Sequence, residues 1–183
     1  MGYTTDFFGA FQLDKPLTTE LKTFLTKFSD TRRMKRNMDE NEYGIEGEFF
    51  ADGGGDFGQA NEKNIIEYNY PPRTQPGLWC QWVPNEEGTE ILWNECEKFY
   101  HYTEWLNYII HKVLKPNGYT LNGEVEYQGE DEMDSGMIVV KNNIVYMVQF
   151  CNLPYEAEPN DYMEIDTVFS LMSQRNEGEF PPC

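Results

Sequence analysis

The stretch LWCQWVPNEEGTEILW, residues 78–93, is typical of a β-hairpin. Residues 78–83 and 89–93 are rich in the aromatic and branched apolar side chains that strands favour. Between them lies Pro-Asn-Glu-Glu-Gly, in which the proline and the glycine favour a turn. The two runs are therefore expected to be antiparallel neighbours in a sheet.

Further strands are predicted on both sides of this hairpin. Residues 137–150 form a second predicted hairpin across Asn142 and Asn143, a pair that tolerates positive φ. Alternating apolar and polar side chains also predict strands over residues 3–13 and 119–128. The sheet is therefore expected to be mainly antiparallel.

Two helices are predicted from apolar side chains at helical spacing. The first follows Thr18, a favourable N-cap residue, and is expected to continue to about Arg36. The second covers residues 95–115, where a Pro-Asn-Gly sequence stops it. The sequence thus predicts an α+β fold in which a mainly antiparallel sheet, with hairpins near 78–93 and 137–150, packs against two principal helices.

The length of 183 residues, of which 39% are hydrophobic, suits a chain that buries one sizeable core. Residues 1–150 are interpreted as a single α+β domain. Residues 151–183 are interpreted as a C-terminal extension, with a predicted helix over residues 161–173, that packs on the domain or on a partner subunit. The four cysteines are scattered without a CxxC pair, and no signal peptide or membrane-spanning run is evident. A cytoplasmic location without membrane contact is therefore expected.

The net charge is −18, from 32 acidic and 14 basic residues. A charge of this size repels nucleic acid and anionic membranes, so direct nucleic-acid binding is not expected. Two binding functions remain open. One is a small-ligand site with local positive charge, and the other is an acidic surface that mimics nucleic acid and docks on a basic partner. A pocket formed between copies of a homo-oligomer would help a small domain to enclose its ligand.

One cluster, the basic island of residues 31–36 (TRRMKR), opposes the overall charge, because it holds four of the 14 basic side chains. Guanidinium groups of Arg32, Arg33 and Arg36 that converge on a cavity would clamp a phosphate through paired hydrogen bonds. The alternative is that these arginines offset neighbouring carboxylates in a salt-bridge network.

A strip on the first predicted hairpin combines an indole with an amide. Strand alternation places Trp79 and Gln81 on the same face. Such a pair suits stacking on a base and hydrogen bonding to its edge. The alternative is that one tryptophan of this strand fills the core and the other lies on an exposed edge. Glu124 and Gln128 add acceptors suited to sugar hydroxyls or an exocyclic amine.

Motifs for catalysis, metals or cofactors are weak. Residues 53–58 spell GxGxxG, but a polar segment follows in place of the helix that a dinucleotide fold needs. The carboxylates of residues 124–134 match no EF-hand loop and are expected to be solvated. No nucleophile motif is present. The sequence therefore favours a binding protein over an enzyme, and it predicts no metal and no cofactor.

Five strings together resemble a family of uncharacterised bacterial and phage proteins: YTTDF (3–7), TRRMKR (31–36), QPGLWCQWVPNEEG (75–88), EKFYHYTEWL (97–106) and LNGEVEYQGED (121–131). The resemblance covers most of residues 3–150. It implies a cytosolic or phage-encoded single domain, and it transfers no catalytic residue. If the protein is encoded by a phage, an accessory function against host defence is expected, by association only.

The leading hypothesis is a non-catalytic binding protein for a small, anionic, nucleotide-like molecule. In a phage it would sequester a nucleotide immune signal. The residues predicted to bind are Arg32, Arg33, Arg36, Trp79, Gln81, Glu124 and Gln128. The alternatives are an acidic inhibitor or nucleic-acid mimic, and a metal-dependent nucleotide hydrolase. Arginines that point into a cavity would favour ligand binding. Arginines that pair with carboxylates beneath a continuous acidic surface would favour mimicry.

Overall fold

The computed structural model describes residues 2–37 and 65–150. These residues form a six-stranded antiparallel sheet and two helices, which confirms the predicted α+β class. The predictions for the glycine-rich loop at 53–58 and the helix at 161–173 lie outside the described residues. Contacts between Cα atoms divide the chain into the units Met1–Phe150 and Cys151–Cys183, and the described residues all belong to the first.

The elements follow one another in the order β1 (Thr5–Leu13), α1 (Thr19–Ser29), β2 (Lys35–Arg36), β3 (Ile65–Glu67), β4 (Trp82–Pro84), β5 (Glu90–Trp93), α2 (Tyr102–Ile109), β6 (Leu121–Gly129), β7 (Ser135–Lys141) and β8 (Ile144–Gln149). After α2 the chain continues through a π-helical turn, Ile110–Leu114, and a 3₁₀ turn, Lys115–Asn117. The strand order in the main sheet is β4-β5-β1-β6-β7-β8, and β2 pairs separately with β3. Strands β4 and β8 are therefore the edges of the main sheet.

Both predicted hairpins are confirmed, although they differ in regularity. Strands β7 and β8 pair from Gly136 and Gln149 to Lys141 and Ile144, and their turn places Asn142 and Asn143 at φ 52° and 67°. Strand β4 is shorter than predicted, since it begins at Trp82 instead of Leu78. The turn from β4 to β5 is held by Asn85, whose Oδ1 accepts from the backbone nitrogens of residues 89 and 90.

The central strands β1 and β6 alternate buried and exposed side chains, as the sequence pattern predicts. Each contains one glycine in the left-handed region, Gly9 at φ 109° and Gly123 at φ 126°. A Cβ on Gly9 would lie 3.1 Å from the backbone oxygen of Glu124, and one on Gly123 would lie 3.2 Å from that of Ala10. Glycine thus permits both the unusual backbone and the close approach of the two strands.

The core lies between the buried face of the sheet and the two helices. Helix α1 begins where predicted, because the Thr18 Oγ1 accepts from the backbone nitrogen of Leu21 at 3.3 Å. Helix α2 contacts both edge strands. The Phe7 ring makes edge-to-face contacts with four aromatic rings at centroid distances of 4.9 to 5.8 Å. No helix among residues 2–37 and 65–150 is long and apolar enough to cross a membrane.

The predicted continuation of the first helix to Arg36 is wrong, since α1 ends at Ser29. The backbone nitrogen of Arg33 donates to the oxygen of Leu78 at 2.8 Å, and that of Lys35 donates to the oxygen of Tyr70 at 2.9 Å. These bonds connect residues distant in sequence, and they replace the helical bonds that the same groups would otherwise form. Tertiary hydrogen bonding therefore overrides the good helix propensity of arginine and lysine.

The predicted start of the second helix at Glu95 is also wrong, because α2 begins at Tyr102. Between β5 and α2, Glu95, Lys98 and His101 adopt left-handed φ values of 62°, 63° and 57°. Such a backbone interrupts a helix and is uncommon for residues with a side chain. Phe99, within this segment, is buried in the core and ties the segment to the sheet.

Candidate ligand-binding site

A cavity of about 760 Å³, called the edge cavity here, lies beside the open end of the β4–β5 hairpin. Its walls come from the loop before β4 (residues 69–81), the segment between β5 and α2 (residues 94–101) and the C-terminal end of α1. Volumes of roughly 300 to 1,000 Å³ are typical of small-molecule sites. The edge cavity is therefore large enough for a ligand of nucleotide size.

Four side chains with flat rings line the edge cavity. Tyr70 and Tyr100 are exposed, Trp79 is half-buried, and the His101 imidazole lies at the start of α2. The Tyr100 hydroxyl accepts from the backbone nitrogen of Tyr3 at 3.1 Å, which fixes one of these rings. Aromatic faces of this kind bind other flat rings by stacking.

Gln81 contributes a buried amide with a fixed orientation. Its Oε1 accepts from the Trp93 Nε1 at 3.0 Å, and its Nε2 donates to the Glu97 oxygen at 3.2 Å. These two bonds define which end of the amide is oxygen and which is nitrogen. Gln81 and Trp79 both line the edge cavity, whereas Cys80 and Trp82 are buried in the core. The two pairs of side chains therefore lie on different faces, as the sequence predicts, even though the regular strand begins only at Trp82.

The segment between β5 and α2 stores backbone strain beside the cavity. Each non-glycine residue in the left-handed region costs about 1–3 kcal/mol and persists only when its surroundings impose it. The Asn94 side chain supplies part of this support, because its Oδ1 accepts from the backbone nitrogen of Cys96 at 3.1 Å and its Nδ2 donates to the Ser29 Oγ at 3.2 Å. Strain of this kind concentrates at functional sites.

Within the basic island, Arg33 lies behind the cavity wall and is fully buried. Its guanidinium carbon lies 3.5 Å from the centroid of the Phe28 ring, and its NH2 donates to the Phe28 oxygen at 2.7 Å. Burial lowers the pKa of Arg33 to about 9, so the group stays charged at neutral pH. Arg33 is not among the described residues that line the edge cavity. It supports the wall from behind through its bond to the backbone of Leu78.

Arg32 is the arginine connected to the cavity wall. Its NH2 donates to the Asn69 Oδ1 at 3.3 Å, and Asn69 lines the edge cavity. Its Nε is buried and has no hydrogen-bond partner within residues 2–37 and 65–150. Arg36 is buried in strand β2 and, like Arg32, is not among the described lining residues. Of the three arginines predicted as a clamp, Arg33 is thus bonded to the cavity wall at Leu78, and Arg32 is one hydrogen bond from the cavity surface.

Glu124 and Gln128 are not among the described residues that line the edge cavity. They lie on the exposed face of β6. The Gln128 Nε2 donates to the backbone oxygens of Gly129 and Asp131, both at 3.0 Å, which closes the turn after the strand. Of the predicted binding residues, the structure therefore brings together Trp79 and Gln81, with Arg32 nearby.

Sequence reasoning missed several cavity residues, among them Asn69, Tyr100 and His101. It also missed Trp105, which is fully buried in α2 and whose Nε1 has no hydrogen-bond partner among the described residues. A signal was present in Pro76 and Gly77, since a proline and glycine directly before an aromatic strip indicate an irregular backbone that can form a cavity wall. The sequence of residues 95–101 gave no sign of an irregular backbone, because its glutamate and lysine residues are good helix formers.

The two described cysteines differ in environment. Cys80 is buried, its Sγ lies 3.9 Å from the Trp82 oxygen, and burial raises the pKa of its thiol to about 12. Cys96 is exposed and lines the edge cavity. Across the part of the chain that the structure describes, no three His, Cys, Asp or Glu side chains are grouped to hold a metal ion.

No family model, no curated protein and no solved structure matches the chain. The chemistry of the edge cavity is therefore the basis for its interpretation.

Proposed function

We propose that the protein binds a small nucleotide-like molecule in the edge cavity and releases it unchanged. The observation that carries this proposal is the position of Trp79 and the fixed amide of Gln81 on the walls of one 760 Å³ cavity. A nucleobase is flat and carries hydrogen-bonding groups along its edge. It therefore matches a site that offers both an aromatic face and an oriented amide.

The charges around the edge cavity favour a ligand whose phosphate lies beside Lys98 and Arg32. Asp30 and Glu97 are exposed, line the cavity and repel a phosphate placed beside them. Lys98 is exposed and also lines the cavity, and Arg32 lies one hydrogen bond from its surface. A phosphate near these two cations stays partly hydrated, so the site does not have to desolvate the charge of the ligand.

Binding without turnover amounts to sequestration of the ligand. A pre-formed cavity with fixed groups favours this function, since little order has to be created on binding. In a protein encoded by a phage, such binding would remove a nucleotide immune signal from its host receptor. Arg33 would then act indirectly, by holding the loop that carries Trp79 through its bond to the backbone of Leu78.

The proposal is tested by titration calorimetry with a panel of nucleoside monophosphates and cyclic dinucleotides. We expect Trp79→Ala to weaken binding about 5- to 150-fold, because the loss of one stacking contact is worth roughly 1–3 kcal/mol. The matched control is Phe8→Ala, which removes an exposed aromatic ring from the outer face of β1. Equal affinities of the Trp79→Ala and Phe8→Ala variants would contradict the assignment of the site.

Recovery of the ligand distinguishes binding from hydrolysis. The protein is incubated with a bound nucleotide and then denatured, and the released ligand is analysed by mass spectrometry. Sequestration predicts the intact nucleotide at the original amount. Release of a cleaved product would instead support the nucleotide hydrolase.

A further inference from the structure

The main sheet has one face that belongs to the core and one face that carries exposed side chains. Helices α1 and α2 pack against the first, where Ile138 and Val140 are buried. The opposite side is called the outer face here. Directly paired residues of an antiparallel sheet point to the same side. Two rows of such residues define the outer face across β1, β6, β7 and β8: Phe8–Glu126–Met137–Val148 and Ala10–Glu124–Val139–Tyr146.

Each row of the outer face places a carboxylate beside apolar side chains. Glu126 lies between Phe8 and Met137, and Glu124 lies next to Val139. Both glutamates are exposed, Phe8 is 59% exposed, and Met137 and Val139 are half-buried. The solvated face of an antiparallel sheet commonly carries polar side chains. Exposed apolar side chains bordered by charged ones are instead typical of a surface that contacts another protein.

The charge of the outer face is uncompensated within the described part of the chain. Glu124 and Glu126 are two residues apart on β6, a separation of about 7 Å. Neither carboxylate forms a hydrogen bond or an ion pair with another described residue. Asp6 adds a third exposed carboxylate on the same face, opposite Gln128. Like charges repel, so cations placed over these groups would relieve the repulsion.

We propose that the outer face docks a basic amphipathic helix of a partner protein. Helices commonly cover the faces of sheets, as α1 and α2 cover the opposite face of this one. Side chains at i and i+4 of a helix lie about 6 Å apart, which is close to the spacing of Glu124 and Glu126. Lysine or arginine at these positions would meet the two carboxylates, and flanking apolar side chains would contact Phe8 and Met137.

The charge and position of the outer face separate this interaction from two others. A second copy of the chain carries the same net charge of −18, so it lacks the complementary positive charge. The residues of the two rows are not among the described residues that line the edge cavity. Docking of a basic helix is therefore independent of the proposed ligand binding.

The test uses a synthetic helical peptide of about four turns, with lysines at i and i+4 and leucines on both sides of them. We expect Glu124→Gln/Glu126→Gln to weaken its binding about tenfold in calorimetric titration at physiological salt, because two opposite-charge contacts are lost. The matched control is Glu86→Gln/Glu87→Gln, which removes the same charge from two exposed residues in the turn after β4. Its effect should be less than about twofold, since distant exposed charges are screened.

The apolar part of the outer face is tested separately. Phe8→Ala should weaken binding of the lysine peptide about fivefold, because an exposed aromatic ring loses its contact with the leucines. A peptide with glutamate in place of each lysine should not bind. Equal losses in the two double variants, or binding of the glutamate peptide, would overturn the proposal, because the contact would then not depend on the outer face.

Backbone amide resonances of the unaltered ¹⁵N-labelled protein locate the peptide without any substitution. We expect shifts in β1, β6, β7 and β8, and none in residues 94–101 of the edge cavity. Shifts elsewhere, or the absence of binding, would overturn the proposal. Self-association that Phe8→Ala abolishes would also overturn it and would assign the outer face to a second copy. The Glu124→Gln/Glu126→Gln variant should keep its nucleotide affinity, so failure of the helix proposal and failure of the proposed function are distinguishable.

Discussion

The two ends of the main sheet differ in how closely they follow local rules. At one end, β6, β7 and β8 pair in continuous register, with alternating burial and a tight turn at Asn142 and Asn143. At the other end, β4 and β5 are strands of three and four residues, and the flanking segments contain left-handed residues and buried polar side chains. The edge cavity lies at this second end.

This difference fits the proposed function, in which the regular end serves stability and the other end binds the ligand. In a regular hairpin the backbone groups of the two strands form hydrogen bonds with each other. A short stretch of sequence is therefore enough to predict it. Strained backbone and buried polar groups lower stability, and they are retained where they create a site. Variants at the two ends should therefore separate into those that affect stability alone and those that affect stability and binding together.

The largest expected effect is that of Trp82→Ala at the cavity end. Trp82 is almost fully buried, and its ring makes edge-to-face contacts with Phe7, Phe11 and Phe99. Removal of such a side chain leaves a cavity, so the free energy of unfolding should fall by about 3–5 kcal/mol in urea titration. Ligand affinity should fall as well, because Phe99 belongs to the strained segment that lines the edge cavity.

The control at the other end is Ile138→Ala, a fully buried position in the middle of β7. It should destabilise the protein by about 2–5 kcal/mol and leave the affinity for the ligand unchanged under conditions where the protein is folded. If both variants lowered affinity equally, the proposed separation between the two ends would be lost.

The regular end of the molecule is the part that sequence reasoning predicted well. Alternation located β1, β6, β7 and β8, and the Asn142–Asn143 pair located the turn, because each of these signals is local. The N-cap at Thr18 is local too. Sequence reasoning was therefore sufficient for the fold class and for most of the sheet.

The cavity end was harder, because contacts distant in sequence decide its backbone. The helix prediction failed beyond Ser29, where bonds to Leu78 and Tyr70 take over the backbone nitrogens of the basic island. It failed again before Tyr102, where a segment anchored by Phe99 adopts left-handed conformations. Trp79 and Gln81 were predicted because their types are unusual together, and both line the edge cavity. The Trp105 donor could not be identified, since its lack of a partner is visible only in three dimensions.

A smaller effect is expected from Asn143→Ala at the regular end. The Asn143 Oδ1 accepts from the backbone nitrogen of Leu121 at 2.7 Å, and its Nδ2 donates to the Tyr119 oxygen at 3.0 Å. The loss of two bonds, together with alanine in a left-handed position, should lower the free energy of unfolding by about 2 kcal/mol. Chemical denaturation measures this loss. Asn142→Gly, which keeps both bonds and suits the positive φ, should be neutral or slightly stabilising.

The smallest effect concerns the pH dependence of stability at the cavity end. Burial raises the pKa of the Cys80 thiol from 9.0 to about 12. The folded protein therefore keeps the thiol protonated between pH 9 and 12, whereas the unfolded chain loses the proton. The stability associated with Cys80 is present in full below pH 9 and decreases as the pH rises toward 12.

Wild type and Cys80→Ala, compared at pH 8 and pH 10, isolate this effect. Between these values wild type should lose about 1.4 kcal/mol more unfolding free energy than the variant, the equivalent of one pH unit above the unfolded pKa. Burial lowers the pKa of Arg33 to about 9, which acts with the opposite sign over the same range. The charge of the Cys80 thiolate also raises the pKa of Arg33, so the difference between the two proteins reports the Cys80–Arg33 pair. An equal pH dependence of the two proteins would mean that the Cys80 thiol reaches solvent, and that the wall between the core and the edge cavity is less closed than the packing around Trp82 implies.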